Sequence, residues 1–327
     1  MSELAPTCLI VIPCLNEEEH LEKLVEGLLE SIDPQTTRIV IADGGSTDRT
    51  QDIAKKLAQT HAHIFYLHNP KKLQSAAINL AVKEYGVDAT FLIRIDAHAD
   101  YPKDYCQTLI DDAIQTKADA VVVAMRTIGL SPFQRAVAAA QNSKLGNGGS
   151  AHRRIEAKGR WVDHGHHALM RIESFRAVGG YDESFMYNED AELDYRLTQA
   201  GYKIWLTAQT HLNYYPRSSA GKLFRQYVGY GYGRARTIMK HGIIPKPRQM
   251  LPACILPAML LALVTPWFPW AALPLLLWLC LCLIYGIVLA KRSREPSIML
   301  AGPAALLMHA GWSVGFWEAV LNTLWRR

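Results

Sequence analysis

From Leu251 to Ala290 the chain carries no charged residue. A stretch of that length with apolar residues on every side cannot form the surface of a water-soluble domain, so it commits the C-terminal part to contact with lipid. A hydrocarbon core about 30 Å thick is matched by roughly 20 helical residues rising about 1.5 Å each. Met250 to Phe268 and Ala271 to Ala290 approach that length. A tight helical hairpin is therefore predicted, with Trp267 and Trp270 of "TPWFPW" in the interfacial belt at its turn. Ser297 to Trp325 is long enough for a third, tilted span, in which His309 and Glu318 need partners. Three spans are expected, with a re-entrant or interfacial helix as the alternative for the last.

The net charge of +5 comes partly from "KPR" before the apolar run and "KRSR" at its end. Such clusters beside a membrane segment meet lipid headgroups, so no nucleic-acid partner is expected. The positive-inside rule puts Lys291, Arg292 and Arg294 in the cytosol. Cys8, Cys14, Cys106, Cys254, Cys280 and Cys282 lack metal-ligand spacing, which fits a reduced, cytosol-facing catalytic part. "MSELAPTCLIVIP" has no basic n-region, so no cleavable signal is expected.

Up to about Gly242 the charge density is ordinary and the pattern alternates. "CLIVIPCLNEEEHLEKLVEGLL" reads as strand, loop and helix, and "RIVIADGGSTDRTQDIAKKLA" repeats it. Consecutive units of this kind imply a parallel sheet, continued by "HIFYLHNP", "SAAINLAVKEY" and "ATFLIRIDAHAD". In open α/β sheets, ligands sit at the carboxyl ends of the strands, where Pro13 to Glu17, Asp43 and Asp96 to His98 fall. The Gly-rich, basic "SKLGNGGSAHRRIEAKGR" is too polar for a core and reads as a mobile loop over the site.

Asp96 and His98 are one residue apart, so an extended strand end aims both to one side, where they can share a divalent ion. The plainer alternative is a pair of polar loop residues. "DGGSTD" can bind a nucleotide through Asp43 and its glycine turn, or be only a turn with a helix cap. In "NEDAELDYR", acids at a helix start are favoured by the helix dipole and usually solvated, which leaves Glu189 and Asp190, at the mouth, as functional candidates.

Taken in order, "IVIPCLNEEEHLEKLVEGLL", "IADGGSTDRT", "RIDAHADYP" and "GGYDESFMYNEDAELDYRLTQAGYKIW" resemble the inverting glycosyltransferases of family 2. The nearest form is that of the membrane-bound transferases of bacterial exopolysaccharide assembly. The resemblance spans roughly Leu9 to Trp205 and implies the GT-A fold, a Rossmann-like, mostly parallel α/β sheet that binds a nucleotide sugar. It places Pro13, Asn16, Glu17 and Asp43 around the uridine and ribose, with Lys72 nearby, and Asp96 by the ribose and diphosphate. His98 stands where most members carry a second carboxylate. As a metal ligand, an imidazole favours Mn²⁺ over Mg²⁺. Asp190 takes the place of the catalytic base, and Glu189 would orient it or raise its pKa. Processive members carry Gln-x-x-Arg-Trp after the base and this chain does not. Its Arg225, Arg234 and Arg236 are expected at the donor diphosphate or along the lipid surface, and His164, His166 and His167 in the acceptor pocket or the core.

The expected organisation is a GT-A catalytic domain over 1–217, an amphipathic interface segment over 218–249 and transmembrane helices over 250–327, held in a bacterial inner membrane with the catalytic part in the cytosol. The expected activity is metal-dependent transfer of one hexose, glucose from UDP-glucose in β-linkage, to a polyprenyl-diphosphate-linked oligosaccharide. The alternatives are transfer of glucuronate or galactose, polyprenyl phosphate as acceptor, or a non-catalytic membrane-anchored subunit that binds nucleotide sugar.

Overall fold

The computed structural model describes residues 6–148, 158–245 and 247–325. Its elements begin β1 (Cys8–Cys14), α1 (Leu21–Leu29), β2 (Thr37–Asp43), α2 (Thr50–Thr60), β3 (Ile64–His68), α3 (Gln74–Tyr85), β4 (Phe91–Arg94), α4 (Tyr105–Thr116) and β5 (Ala120–Thr127). They continue with α5 (Pro132–Gln141), α6 (Lys144–Asn147), β6 (Arg160–Val162), β7 (His166–Arg171), α7 (Ile172–Ala177), α8 (Glu189–Gln199) and β8 (Ile204–Tyr214). The last are α9 (Ala220–His241), α10 (Pro247–Ala253), α11 (Ile255–Ala262), α12 (Leu273–Ser293) and α13 (Ala301–Trp325). The chain forms two compact units: Met1–Met125 with Ile155–Asn213, and Arg126–Arg154 with Tyr214–Arg327.

The first unit is built on a sheet of order β3-β2-β1-β4-β7-β5-β8-β6. β1, β2 and β4 are near-continuous apolar runs buried on both faces, as parallel strands covered by helices must be. Leu21, Val25 and Leu28 seal α1 against the core, and Thr50, Ala54 and Leu57 do so for α2, each set at helical spacing. β3, β2, β1 and β4 run parallel, so their carboxyl ends share one edge. β7 pairs antiparallel with both β4 and β5. Its first residues, His166 and His167, therefore reach that same edge. A register shift opposite Val121 and Val122 marks a bulge there. The extra residue is Ala168, directly after the two histidines, where a bulge bends the strand beside them.

In the second unit, α9 lies along α13 at backbone contact. A Cβ on Gly231 would come within 1.9 Å of the Trp312 carbonyl oxygen, and one on Gly315 within 1.9 Å of that of Val228. Small residues are what allow two helices to approach so closely. The small-residue face of the expected interface segment is thus covered by α13. Arg225 is exposed, and Arg234 and Arg236 are half-buried. Of the stretch read as a mobile loop, Lys144–Asn147 forms α6, and 149–157 lie outside the described residues.

The expected first span differs. Among the described residues two helices, Pro269–Ser293 and Pro296–Trp325, are long and apolar enough to cross a bilayer, whereas the preceding apolar helix covers only Gln249–Ala262. It is interrupted at Cys254, and Pro252 lies inside α10. The freed backbone groups are satisfied by α13. Leu256 N–H donates to Ser313 Oγ at 2.9 Å, and the Ala253 carbonyl accepts from Ser313 Oγ at 3.0 Å and Trp317 Nε1 at 2.8 Å. Proline punctuation shortened a segment whose apolar length alone suggested a span. His309 has its partners, accepting from Trp278 Nε1 at 3.2 Å and facing the Leu145 carbonyl at 2.9 Å. Glu318 is exposed.

Candidate active site

Two loops meet at the ends of β1 and β2. Gly44 N–H donates to the Cys14 carbonyl at 2.8 Å. Asn16, in the left-handed region at φ 57, accepts from Thr47 N–H on its Oδ1 at 2.8 Å and donates its own N–H to Ser46 Oγ at 2.8 Å. Asp43 is fully buried and closes its own turn, accepting from Gly45 N–H at 2.9 Å and Ser46 N–H at 3.2 Å. Gly45, at φ +80, supplies the turn, and Lys72, itself at φ 57, lays its side chain against it. Pro13 is half-buried at the end of β1, and Glu17 reaches His98, Oε1 to Nδ1, at 3.1 Å. These residues shape a cradle, and Asp43 acts as the staple of its loop.

The second constellation was less apparent from sequence. Arg94, the last residue of β4, is almost completely buried. Its Nε meets Asp96 Oδ1 at 3.1 Å, its Nη2 meets Asp96 Oδ2 at 3.4 Å, and its Nη1 meets Asp190 Oδ1 at 2.7 Å. Gln74 Nε2 donates to Asp96 Oδ1 at 2.7 Å. His166 stands between the two carboxylates, Nε2 3.7 Å from Asp96 Oδ2 and Nδ1 3.9 Å from Asp190 Oδ2. His167 Nδ1 lies 3.4 Å from Asp190 Oδ1, and Tyr181 Oη donates to that same oxygen at 3.1 Å. Behind them Asp194, fully buried, holds His167 Nε2 at 2.6 Å and His164 Nδ1 at 2.7 Å.

The structure thus brings Asp96, Asp190, His164, His166 and His167 into one charged cluster, with Glu189 at its edge. Arg225, Arg234 and Arg236 belong to the other unit. The acids of α8 are not a solvated face, because Glu192 is fully buried and bound by Arg196 at 2.6 Å. Arg94, Tyr181 and Asp194 were missed. The available signals were a lone cation ending an apolar strand, and the i, i+4 spacing that puts Asp190 and Asp194 on one helix face.

Burial alone would raise the Asp190 carboxyl, but the Arg94 guanidinium, then His167 and His166, hold it below the usual range, so it is ionised at neutral pH. Asp96 is likewise held low against burial, by Arg94 first. Burial, then Arg94, pushes His166 down to about 4 and keeps it neutral. Glu189 goes the other way, raised to about 7 by burial and by the Asp190 charge beside it.

Among the described residues there is no group of three or more His, Cys, Asp or Glu side chains able to hold a metal. Asp96 and His98 are two donors, with His98 largely exposed. Asp96 is engaged by Arg94 and Gln74 and His98 by Glu17, so the two would hold a small divalent cation only together with the phosphate oxygens of a bound substrate.

A mostly parallel sheet flanked by helices, with acidic side chains gathered at its carboxyl edge, is the GT-A architecture of the nucleotide-sugar transferases. The chain belongs to Glycosyl transferase family 2, whose profile matches residues 9–179. It is 56% identical over 317 residues, 96% of this chain and 95% of the relative, to the succinoglycan biosynthesis protein ExoA of Rhizobium meliloti (strain 1021). A dolichyl N-acetyl-alpha-D-glucosaminyl phosphate 3-beta-D-2,3-diacetamido-2,3-dideoxy-beta-D-glucuronosyltransferase of Methanococcus voltae is 25% identical over 324 residues, covering 96% of this chain and 97% of that protein. The mannosyltransferase PcManGT of Pyrobaculum calidifontis, solved with GDP-Man and Mn²⁺, superposes with a TM-score of 0.61 at 16% identity, covering 98% of this chain and 88% of its own. That likeness speaks to the fold alone.

Proposed function

We propose that the chain is an inverting hexosyltransferase that adds one glucose, from UDP-glucose and in β-linkage, to a polyprenyl-diphosphate-linked oligosaccharide during exopolysaccharide assembly. The observation that carries the chemistry is the asymmetry of Asp190. Its Oδ1 is occupied by Arg94 and Tyr181, whereas Oδ2 faces His166 Nδ1 at 3.9 Å, beyond hydrogen-bond range. An ionised carboxylate with one oxygen open is suited to take a proton. The acceptor hydroxyl oxygen attacks the anomeric carbon on the face opposite the nucleotide, its proton passes to Asp190 Oδ2, and the bond to UDP breaks with its electron pair leaving on the diphosphate. A carboxylate held at low pKa suffices, because the hydroxyl becomes acidic as its bond to carbon forms. Asp96 and His98 would hold a divalent metal, Mn²⁺ before Mg²⁺, which when bound would supply charge for the leaving diphosphate. The name of one relative, a β-glycosyl transferase to a dolichyl-linked sugar phosphate, favours a lipid-linked saccharide as acceptor, and that of the other, a succinoglycan biosynthesis protein, favours polysaccharide assembly.

Asp190→Asn is expected to lower transfer by at least about 10²-fold while leaving UDP affinity nearly unchanged, since the base acts in the transition state and not in donor binding. Labelled transfer and UDP titration measure the two. Parallel loss of UDP binding would place Asp190 in the donor site instead.

The same reading places the chain on the bacterial inner membrane with the catalytic unit in the cytosol. The apolar window of the α12 segment is only 11% buried within the protein, against 50% for the α13 segment. α12 with the short, broken α10–α11 segment before it is read as the hairpin that enters the lipid, with Trp267 and Trp270 at its tip and Lys291, Arg292 and Arg294 returned to the cytosolic face. α13 carries exposed Glu318 and is flanked by α9 with its half-buried Arg234 and Arg236. Carrying such cations into hydrocarbon costs about 2.5–3.5 kcal/mol each, so α13 is placed along the interface. A phosphatase reporter fused after Arg327 should then be inactive. Periplasmic activity at that position would restore a third span.

A further inference from the structure

Arg94 gives its two-pronged fork to Asp96, through Nε and Nη2, and leaves only Nη1 for Asp190, at 2.7 Å to Oδ1. One such bond does not fix a carboxylate that turns readily about χ2. What adds to it is a chain of buried groups behind the acid. Asp194 lies one helical turn after Asp190 and has both oxygens occupied: Oδ1 by His167 Nε2 at 2.6 Å, Oδ2 by His164 Nδ1 at 2.7 Å and Gly165 N–H at 3.2 Å. The His167 ring is thereby fixed, and its Nδ1 meets Tyr181 Oη at 2.7 Å. Tyr181 is fixed in turn, its N–H donating to Asn79 Oδ1 at 2.9 Å and its carbonyl accepting from Asn79 Nδ2 at 2.8 Å. Gly180, at φ +68, makes this turn possible, since a Cβ there would come within 2.6 Å of Asn79 Oδ1.

The proton positions follow in sequence. With both nitrogens of His167 protonated, Nε2–H donates to Asp194 and Nδ1–H to the Tyr181 oxygen, which leaves the phenolic proton for Asp190 Oδ1. The groups facing His167 are Asp190 and Asp194 from α8, Arg94 from β4, His166 from β7, Tyr181 and, through Asp194, His164. Burial would discharge the ring, but the Asp194 and Asp190 carboxylates outweigh it and hold the imidazole above its ordinary range.

We propose that Asp194, His167 and Tyr181 form a buried relay of positioning residues that, together with Arg94 Nη1, holds Asp190 by Oδ1 and so presents Oδ2 to the acceptor hydroxyl. The relay rests on the reading of Asp190 as the base. It is tested with whichever of UDP-glucose, UDP-galactose, UDP-glucuronate and GDP-mannose the native chain turns over fastest, against extracted lipid-linked saccharide. Tyr181→Phe and His167→Gln should each lower kcat by about 10²-fold, the usual cost of a misplaced reacting group, with the donor KM within about threefold. Combined with Asp190→Asn, neither should add a further loss, because residues that act as a unit are not additive. Unchanged kcat in the single variants, or a full multiplicative loss in the doubles, overturns the relay while the base reading stands. Transfer retained by Asp190→Asn overturns both. Should His167→Gln fail to fold, Tyr181→Phe, which deletes one hydroxyl, carries the same test.

Discussion

Asp43 and Asp190 are acids at the same edge of one sheet, held by opposite means. The partners of Asp43 are the amides of Gly45 and Ser46, immediately downstream in its own turn. Those of Asp190 are charged and polar side chains from β4, from β7 and from the segment before α8. The first arrangement uses backbone that must be satisfied in any case, so its product is shape, a rigid loop beside the Asn16 and Glu17 turn. The second gathers buried charge that stays stable only while every partner is present, and its product is a carboxylate with a set ionisation and an open oxygen. Under the proposed function, the loop serves the donor and the cluster serves the transfer.

The sharpest way to break that contrast is to remove Arg94. Arg94→Ala leaves two carboxylates in a buried site without their shared cation, and losing one partner of a buried pair costs about 3–5 kcal/mol. Denaturant unfolding should show a loss of that size, together with loss of transfer. A change within experimental error of the native chain would mean that solvent, and not Arg94, compensates these acids, and the cluster would then resemble the loop.

A smaller effect is expected at Asp43. Asp43→Ala orphans the half-buried Gly45 amide and the buried Ser46 amide, and a buried donor's loss of its partner costs about 1–3 kcal/mol. Because the turn it closes is read as part of the donor cradle, UDP affinity should fall while kcat at saturating donor is kept. Isothermal titration and initial rates separate the two. A kcat loss as large as the affinity loss would erase the division between loop and cluster.

The same contrast accounts for what the sequence disclosed. The strands β1, β2 and β4 are written as apolar runs, and the turn after β2 as Gly-Gly-Ser, because their causes are local. The Asp190 neighbourhood is assembled by topology. His166 and His167 reach it only because β7 runs antiparallel into the sheet, a direction that a strand's own residues do not encode. The odd residue was visible, in that a cation closing the apolar run "FLIR" needs a buried partner, but not which one. In the apolar part, length was legible and continuity was not. Pro252 and the break at Cys254 cut the first segment short, and the sites that repair it, Ser313 and Trp317, lie far along the chain.

The smallest effect concerns Glu189, which sits between the two cases because the charge that acts on it most is that of the next residue. Its carboxyl is raised to about 7 by burial first and the Asp190 charge second. In the unfolded chain it ionises near about 4.3, so its folded form retains a proton that the unfolded form has lost. The stability it contributes is therefore complete below about pH 4.3 and is lost as pH rises through about 7. Activity should move the opposite way. Above about pH 7 a second negative charge beside Asp190 raises the proton affinity of the base, and transfer should rise modestly through that range. Glu189→Gln removes the titrating proton and should flatten both slopes, read as melting temperature and kcat across the neutral range. Slopes that survive the substitution would assign the titration to another group. A loss of kcat as deep as that of Asp190→Asn would make Glu189 the base and leave Asp190 as its support.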